Sequence, residues 1–245
     1  MATVETLEPL ELPGHVPSVP GANAEHPMRV MTRRAAGLAG PVWDARAASE
    51  VAGLFDSLAP QWHSRESADR SAIVDDALGR GLDRLLESGD RAGSPGTAWD
   101  RATGVAVEVG SGLGTYSAAV AERFGVSLAV ELSAEMHRRA HRSGAYRVLA
   151  DGAHLPVGDA SVDAVVLVNC FLFPAEVERV LRPGGVLVWV NSSGTSTPIH
   201  LSTTEVTEAL GFEVTGIEAA AGIGTWCVLR RAHMPPEHGW LEERP

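Results

Sequence analysis

The sequence predicts an α/β domain built on a parallel sheet with helices on both faces. Three observations carry that expectation. Val105, Val107 and Val109 alternate with small Ala106, a run suited to a central parallel strand that is covered on both sides. The run ends in Gly110-Ser111-Gly112-Leu113-Gly114, and Thr115 to Phe124 continues with helical spacing. Apolar strands alternate with helical stretches from there to about residue 190, as βαβ units do.

At 245 residues the chain has room for one full α/β domain with appendages, and its hydrophobic fraction of 44% supports a substantial core. The net charge is −11, from 31 acidic and 20 basic residues, and every basic residue other than His is Arg. Such a surface repels phosphate backbones, which argues against a nucleic-acid partner. Cys170 and Cys227 have neither the number nor the spacing of a disulfide framework or a zinc site, and no metal is expected. They read as packed, reduced thiols, although Cys170 stands at the mouth of a strand and can line a pocket. No apolar run approaches the roughly 18 residues of a spanning helix. The N-terminus lacks a basic start and an apolar signal core. A cytoplasmic protein without a membrane partner is expected.

Taken in order, residues 1–46 read as a flexible arm. Pro9, Pro13, Pro17, Pro20 and Pro27 mix with Glu5, Glu8 and Glu11 without a periodic apolar face. Arg29, Arg33, Arg34 and Arg46 then form a basic cluster, read as solvated or charge-balancing, with contact to an anionic partner as the alternative. Residues 47–103 are a helical cap and linker. Val51, Leu54, Phe55 and Leu58 share one helical face before Pro60 ends the run, and Ile73, Val74, Leu78 and Leu82 line a second helix within 68–86. Gly89 to Thr103 breaks that pattern. Residues 104–232 are the core. Strands at 125–131, 146–150, 163–169 and 186–191 follow the first, and Ser202 or Thr203 opens a helix reaching Leu210. Phe212–Glu218 and Thr225–Arg230 are two final strands around Gly222-Ile223-Gly224. Residues 233–245, with Pro235 and Pro236, read as a loose tail.

The glycine spacing discriminates between ligands. A dinucleotide fingerprint G-x-G-x-x-G would place its third glycine at 115, where the chain has Thr115. The pattern is instead G-x-G-x-G, with Glu108 two residues before it. This resembles the first motif of the class I S-adenosylmethionine (SAM) methyltransferases. The likeness continues in order through Leu128-Ala129-Val130-Glu131 with Leu132 to Met136, Ala150-Asp151-Gly152, the strand ending at Asn169, and Arg179 to Val188 with its Arg182-Pro183-Gly184-Gly185 turn. Phe55-Asp56-Ser57-Leu58-Ala59-Pro60-Gln61-Trp62-His63 is similar to the element that many small-molecule members fold over the cofactor. The resemblance implies a Rossmann-like, seven-stranded, mostly parallel sheet with helices on both faces and an N-terminal helical cap, closed by an antiparallel hairpin.

It also implies roles. Gly110, Ser111, Gly112 and Gly114 would let the methionine end of SAM lie against the backbone, with Glu108 helping to hold it. Glu131 would clasp the ribose, Leu132 and Met136 would pack on the base, Asp151 and Gly152 would orient the adenine, and Asn169 would border the cofactor. SAM already carries a good leaving group, so positioning can supply much of the catalysis and no triad is required. The catalytic residue is unassigned, with His63 as the one side chain suited to take a proton. Trp62, His63, Cys170 and Phe171 are the candidate acceptor pocket, Trp62 being either a lid or a core anchor. The chain departs from the family after Asn169, where only Cys170 to Glu178 precede Arg179. The expected function is methyl transfer to a small-molecule acceptor. A SAM-binding sensor or scaffold and a protein or RNA methyltransferase are the alternatives, and neither the acceptor nor the oligomeric state is fixed.

Overall fold

The computed structural model describes residues 2–13, 25–40, 43–85 and 103–232. Most of the linker at 89–103 and the whole tail at 233–245 lie outside the described residues. Strands β2 (Val105–Val109), β3 (Val126–Glu131), β4 (Tyr146–Leu149), β5 (Val162–Val168) and β6 (Leu181–Asn191) run parallel. β2 lies centrally, with β3 and β4 on one side and β5 and β6 on the other. The chain therefore reverses its direction of winding between β2 and β5, and a crevice opens beyond the carboxyl ends of these two strands. Strands β7 (Val214–Ala221) and β8 (Gly224–Arg231) form the antiparallel hairpin, with β8 antiparallel to β6.

The sheet has eight strands, one more than the seven expected. The extra strand, β1 (Thr3–Thr6), comes from the segment read as a flexible arm and pairs parallel to β7. Without it β7 would present an open row of backbone donors and acceptors. Leu7 then donates to Glu218 O at 2.8 Å and is buried. Four residues of β-branched and acidic character, followed by prolines, leave too little periodicity to be found in sequence.

Alternation along the strands sends side chains to opposite faces. Ala106, Val166, Val188 and Val228 meet Ile73 and Val74 of α3 (Ala68–Asp76), Leu78 and Leu82 of the π-helical turn that continues it (Ala77–Asp83), and Val120 of α4 (Ser117–Ala121). Val107, Val165, Leu187 and Leu229 meet Val177 and Val180 of α6 (Pro174–Val180), which follows α5 (Ala134–Arg139), and Val206 of α7 (Thr203–Ala209). Complete burial of each such side chain is worth about 1.5–3 kcal/mol. Ser202 and Glu205 form a reciprocal cap on α7, as the sequence suggested.

Helices α1 (Pro27–Ala35) and α2 (Ala45–Leu58), with the 3₁₀ turn Ala59–Arg65, lie over the crevice. The basic cluster largely secures this cap. Arg29 Nη2 donates to Thr195 O at 2.6 Å and Thr197 O at 2.8 Å, Arg33 pairs with Glu205 on α7, and Arg46 pairs with Glu50 on its own helix at 2.9 Å. The cap also grips the core through a carboxylate. Asp56 Oδ1 accepts from Ser133 Oγ at 2.5 Å and from Glu135 N at 3.0 Å, at the start of α5.

A second buried carboxylate fixes α3 to the sheet. Asp76 accepts from Arg80 Nε at 2.6 Å, Arg80 Nη2 at 2.7 Å and Trp226 Nε1 at 2.7 Å. Removing it strands an indole N–H in the core and a guanidinium at its edge. Asp76→Ala is expected to lower unfolding free energy by about 2–3 kcal/mol, measured by urea denaturation, whereas Trp226→Phe, which leaves Asp76 paired with Arg80, should cost less.

Candidate functional site

The strand-to-helix turn after β2 forms the floor of the crevice. Gly110 and Gly112 lie at φ 69° and 56°, backbone that residues with a Cβ rarely adopt. A Cβ on Gly110 would strike Cys170 Sγ, whereas at Gly112 only Trp62 Nε1, 3.7 Å away, lies nearby, so this stretch of backbone is open to the cavity. Gly110 N and Ser111 N both donate to Val130 O, at 2.9 and 3.0 Å. Gly114, also at positive φ, closes the turn by donating to Ser111 O at 2.8 Å and does not line the cavity.

Glu131, at the end of β3, joins the neighbouring strands. Its Oε2 accepts from Gly112 N at 2.7 Å and its Oε1 from Ser133 N at 2.7 Å, leaving lone pairs directed at the cavity for further donors. Burial raises its pKa, and these backbone bonds oppose the rise. Ser133 in turn caps α5, which places Met136 against Leu113, Phe55 and Trp62. Leu132 and Met136 both face the cavity.

Asp151, after β4, stands at the aromatic end. Its Oδ1 accepts from Ala153 N at 2.9 Å and its Oδ2 from Trp43 Nε1 at 3.0 Å. The Trp43 ring lies 5.4 Å from Phe171 and 5.1 Å from Phe173. Gly152 packs so closely on Val109 and Phe173 that any side chain there would displace them. At the mouth of β5, Asn169 has φ 49° and is held by a reciprocal pair with Ser192: Asn169 Nδ2 donates to Ser192 Oγ at 2.8 Å, and Ser192 N donates to Asn169 Oδ1 at 2.8 Å.

The crevice spans about 1040 Å³, counted out through its open mouth. It gathers Glu108, Gly110, Ser111, Gly112, Glu131, Leu132, Met136, Asp151, Gly152 and Asn169 of the expected cofactor residues, together with Trp62, Cys170 and Phe171. A second chamber of about 910 Å³, also open to solvent, adjoins it and shares Phe55, Trp62, Arg65, Arg70, Asn169 and Ile199 as a common wall.

His63 lines neither chamber and is exposed. In a 3₁₀ turn successive side chains point about 120° apart and residues three apart eclipse. Trp62 and Arg65 therefore share the inward face, with the Arg65 guanidinium 4.5 Å over the Trp62 ring, and His63 points elsewhere. Sequence reading missed Trp43, Arg65, Glu66, Arg70 and Tyr116, which line the crevice. Only the proximity of Arg65 and Glu66 to the cap motif hinted at them. Glu66 accepts from Thr115 Oγ1 at 2.6 Å and bonds His141 Nε2 at 3.1 Å. Burial pushes its pKa up, but the Thr115 and His141 bonds outweigh this and leave it lowered.

The electrostatics of the crevice suit a cation. Burial pushes the Cys170 thiol well above its ordinary range, with Glu131 adding to the shift, so it stays protonated. Glu108 is fully buried beneath the turn, where Ser117 Oγ donates to it. Burial raises its pKa to about 7, Ser117 opposes the rise, and Glu131 adds to it. The folded protein thus holds the Glu108 proton more tightly than the unfolded chain, and this group's contribution to stability falls as pH rises from about 4.5 through about 7. Glu108→Gln should remove that loss. Between pH 5 and pH 8 the variant is expected to gain on the order of 3 kcal/mol relative to wild type, read from urea unfolding; parallel pH curves would refute the assignment.

Comparison with known proteins places this geometry. A family model described as a methyltransferase domain matches residues 107–189. A Micromonospora griseorubida protein, provisionally named a 23S rRNA (guanine-N(1)-)-methyltransferase, is 35% identical over 148 residues, 58% of this chain and 46% of that protein. The chain thus spans about half the length of the curated relative that it matches. The structure of DhpI with SAH is 21% identical and covers 76% of this chain and 97% of its own, with a TM-score of 0.52. A SAM-dependent methyltransferase from Thermotoga maritima is 18% identical, with coverage of 73% and 98% and a TM-score of 0.48. At this identity the DhpI structure speaks to the fold alone. No helix among the described residues is long and apolar enough to cross a membrane. The chain thus carries a methyltransferase domain over residues 107–189, set within an α/β fold like that of the SAH-bound DhpI structure.

Proposed function

We propose that the crevice binds SAM and that the adjoining chamber presents a small organic molecule for methylation. The observation that carries this reading is the Glu131 carboxylate, held by Gly112 N and Ser133 N while still facing the cavity. When bound, SAM supplies a sulfonium methyl, whose carbon–sulfur electron pair returns to sulfur as a lone pair of the acceptor bonds the carbon.

The chain's own residues hold and orient. Glu131 accepts from the ribose hydroxyls, and Asp151 and the backbone at Gly152 address the edge of the adenine, whose faces fit beside Leu132, Phe171 and Phe173. Gly110, Ser111 and Gly112 let the methionine portion rest on bare backbone. Glu108, beneath the turn, favours a positively charged ligand, and such a ligand stabilises its ionised form in return. Trp62, Phe55 and the cap wall the junction between chambers, which narrows the poses open to an acceptor. Among the described residues, none at that junction is a ready base: Cys170 stays a thiol and His63 lies outside. Positioning is therefore the principal contribution of the protein, and an acceptor that is nucleophilic near neutral pH fits best.

A nucleotide of ribosomal RNA is the second reading, favoured by the name of the Micromonospora protein. Against it stand the net charge of −11 and the use of Arg29, Arg33 and Arg46 in internal contacts. Incubation with methyl-labelled SAM and separated small-molecule, protein and RNA fractions distinguishes them, with label expected in the small molecules; label confined to RNA would overturn the first reading. Glu131→Ala is expected to weaken SAM binding at least ~10-fold in calorimetry, with the unfolding transition still cooperative, and unchanged affinity would remove the ribose assignment.

A further inference from the structure

The second chamber has a charge pattern opposite to that of the whole chain. Acidic residues outnumber basic ones by 31 to 20, yet among the described residues no carboxylate lines this chamber. Apart from His26, its ionisable side chains are Arg65 and Arg70. The carboxylates Glu108, Glu131 and Asp151 all lie on the cofactor side of the common wall. Of the two acidic residues between these arginines in sequence, Glu66 is turned toward Thr115 and His141, and Asp69 lines neither chamber.

The two guanidinium groups are placed without being neutralised. Arg65 lies on the Trp62 ring, which orients its plane. Arg70 Nη1 donates to Arg65 O at 2.9 Å, while its Nε is buried and has no partner. Neither forms an ion pair with a carboxylate among the described residues. A partly buried Arg70 beside an exposed Arg65 stacked on Trp62, both without a carboxylate partner in an acidic protein, makes a site suited to an oxyanion. The rest of the chamber divides into an apolar wall of Met28, Leu54, Phe55 and Leu58 and a hydroxyl-bearing end at Ser192, Ser193 and Thr197.

We infer that the acceptor is a small molecule with an apolar, ring-sized body and one oxyanion, a carboxylate or a phosphate, held by Arg65 and Arg70. The inference rests on the methyltransferase reading of the same cavity and specifies the substrate class within it. The apolar wall takes the body, and the arginine pair fixes the anionic end beside Asn169, where the two chambers meet.

The test uses the full chain loaded with SAH and the fluorescent apolar anion anilinonaphthalene sulfonate. One probe molecule is expected to bind per chain and to be displaced by phenylpropionate or phenyl phosphate but not by phenylpropanamide. Whichever anion displaces better identifies carboxylate or phosphate as the natural group, and equal behaviour of all three compounds overturns the inference. In Arg70→Gln and Arg65→Gln the probe should bind at least ~10-fold more weakly, with a smaller loss for SAH measured by calorimetry on the same samples. A probe affinity that does not fall, or a fall matched by SAH, assigns the guanidinium groups to the cofactor's own carboxylate and overturns the inference. Arg65 sits on an exposed turn, so its variant is the one least able to disturb folding. Failure of the wild type to bind SAH would instead remove the methyltransferase reading, and this inference with it.

Discussion

The Glu131 carboxylate, shared between the amides of Gly112 and Ser133, is the constraint on which the site depends. One oxygen holds the glycine turn of β2 and the other starts the helix after β3. Two loops that would otherwise move independently are thereby fixed to one side chain. The arrangement is stable because two backbone donors offset much of the cost of burying a charge. The same bonds hold the carboxylate at the wall of the crevice, so that on the proposed reading folding and ligand recognition share one group.

Around that point the molecule separates charge. Carboxylates gather on the sheet side, under and beside the turn, where burial raises the pKa of Glu108 and Glu131 and a cationic ligand is welcome. Arg65, from the cap, and Arg70, from α3, stand in the common wall itself. The cap is held in place by acidic side chains turned inward, Asp56 on α5 and Glu66 on Thr115, so its own negative charge is used for docking and its positive charge faces the chamber. A cation and an anion would in this way be drawn to adjacent places, with Trp62 and Asn169 between them.

The core was legible because its signals are local. A strand that must be apolar on both faces, a turn that must adopt positive φ at successive glycines, and a carboxylate at the end of the next strand all leave short patterns, and the strands at 105–109, 126–131, 146–149 and 162–168 lie where those patterns put them. What stands opposite the turn was less legible. Trp43 reaches Asp151 across 108 positions of sequence, and Arg29 reaches Thr195 across 166. His63 looked as suitable as its neighbours until the pitch of the 3₁₀ turn decided that Trp62 and Arg65 face inward. β1 was hidden for a related reason: four residues carry no periodicity, and pairing with a distant edge is what makes them a strand.

By itself the amino-acid order determined the α/β class, the run of parallel strands and the glycine turn after the first of them, since each follows from steric and hydrophobic rules acting over a few neighbouring residues. Only the tertiary structure decided what stands opposite that turn: the aromatic group on Asp151, the orientation of the cap, and a pair of arginines without carboxylate partners. Those features arise where segments far apart in sequence are brought together, and their geometry is set by packing across the sheet that no local pattern encodes.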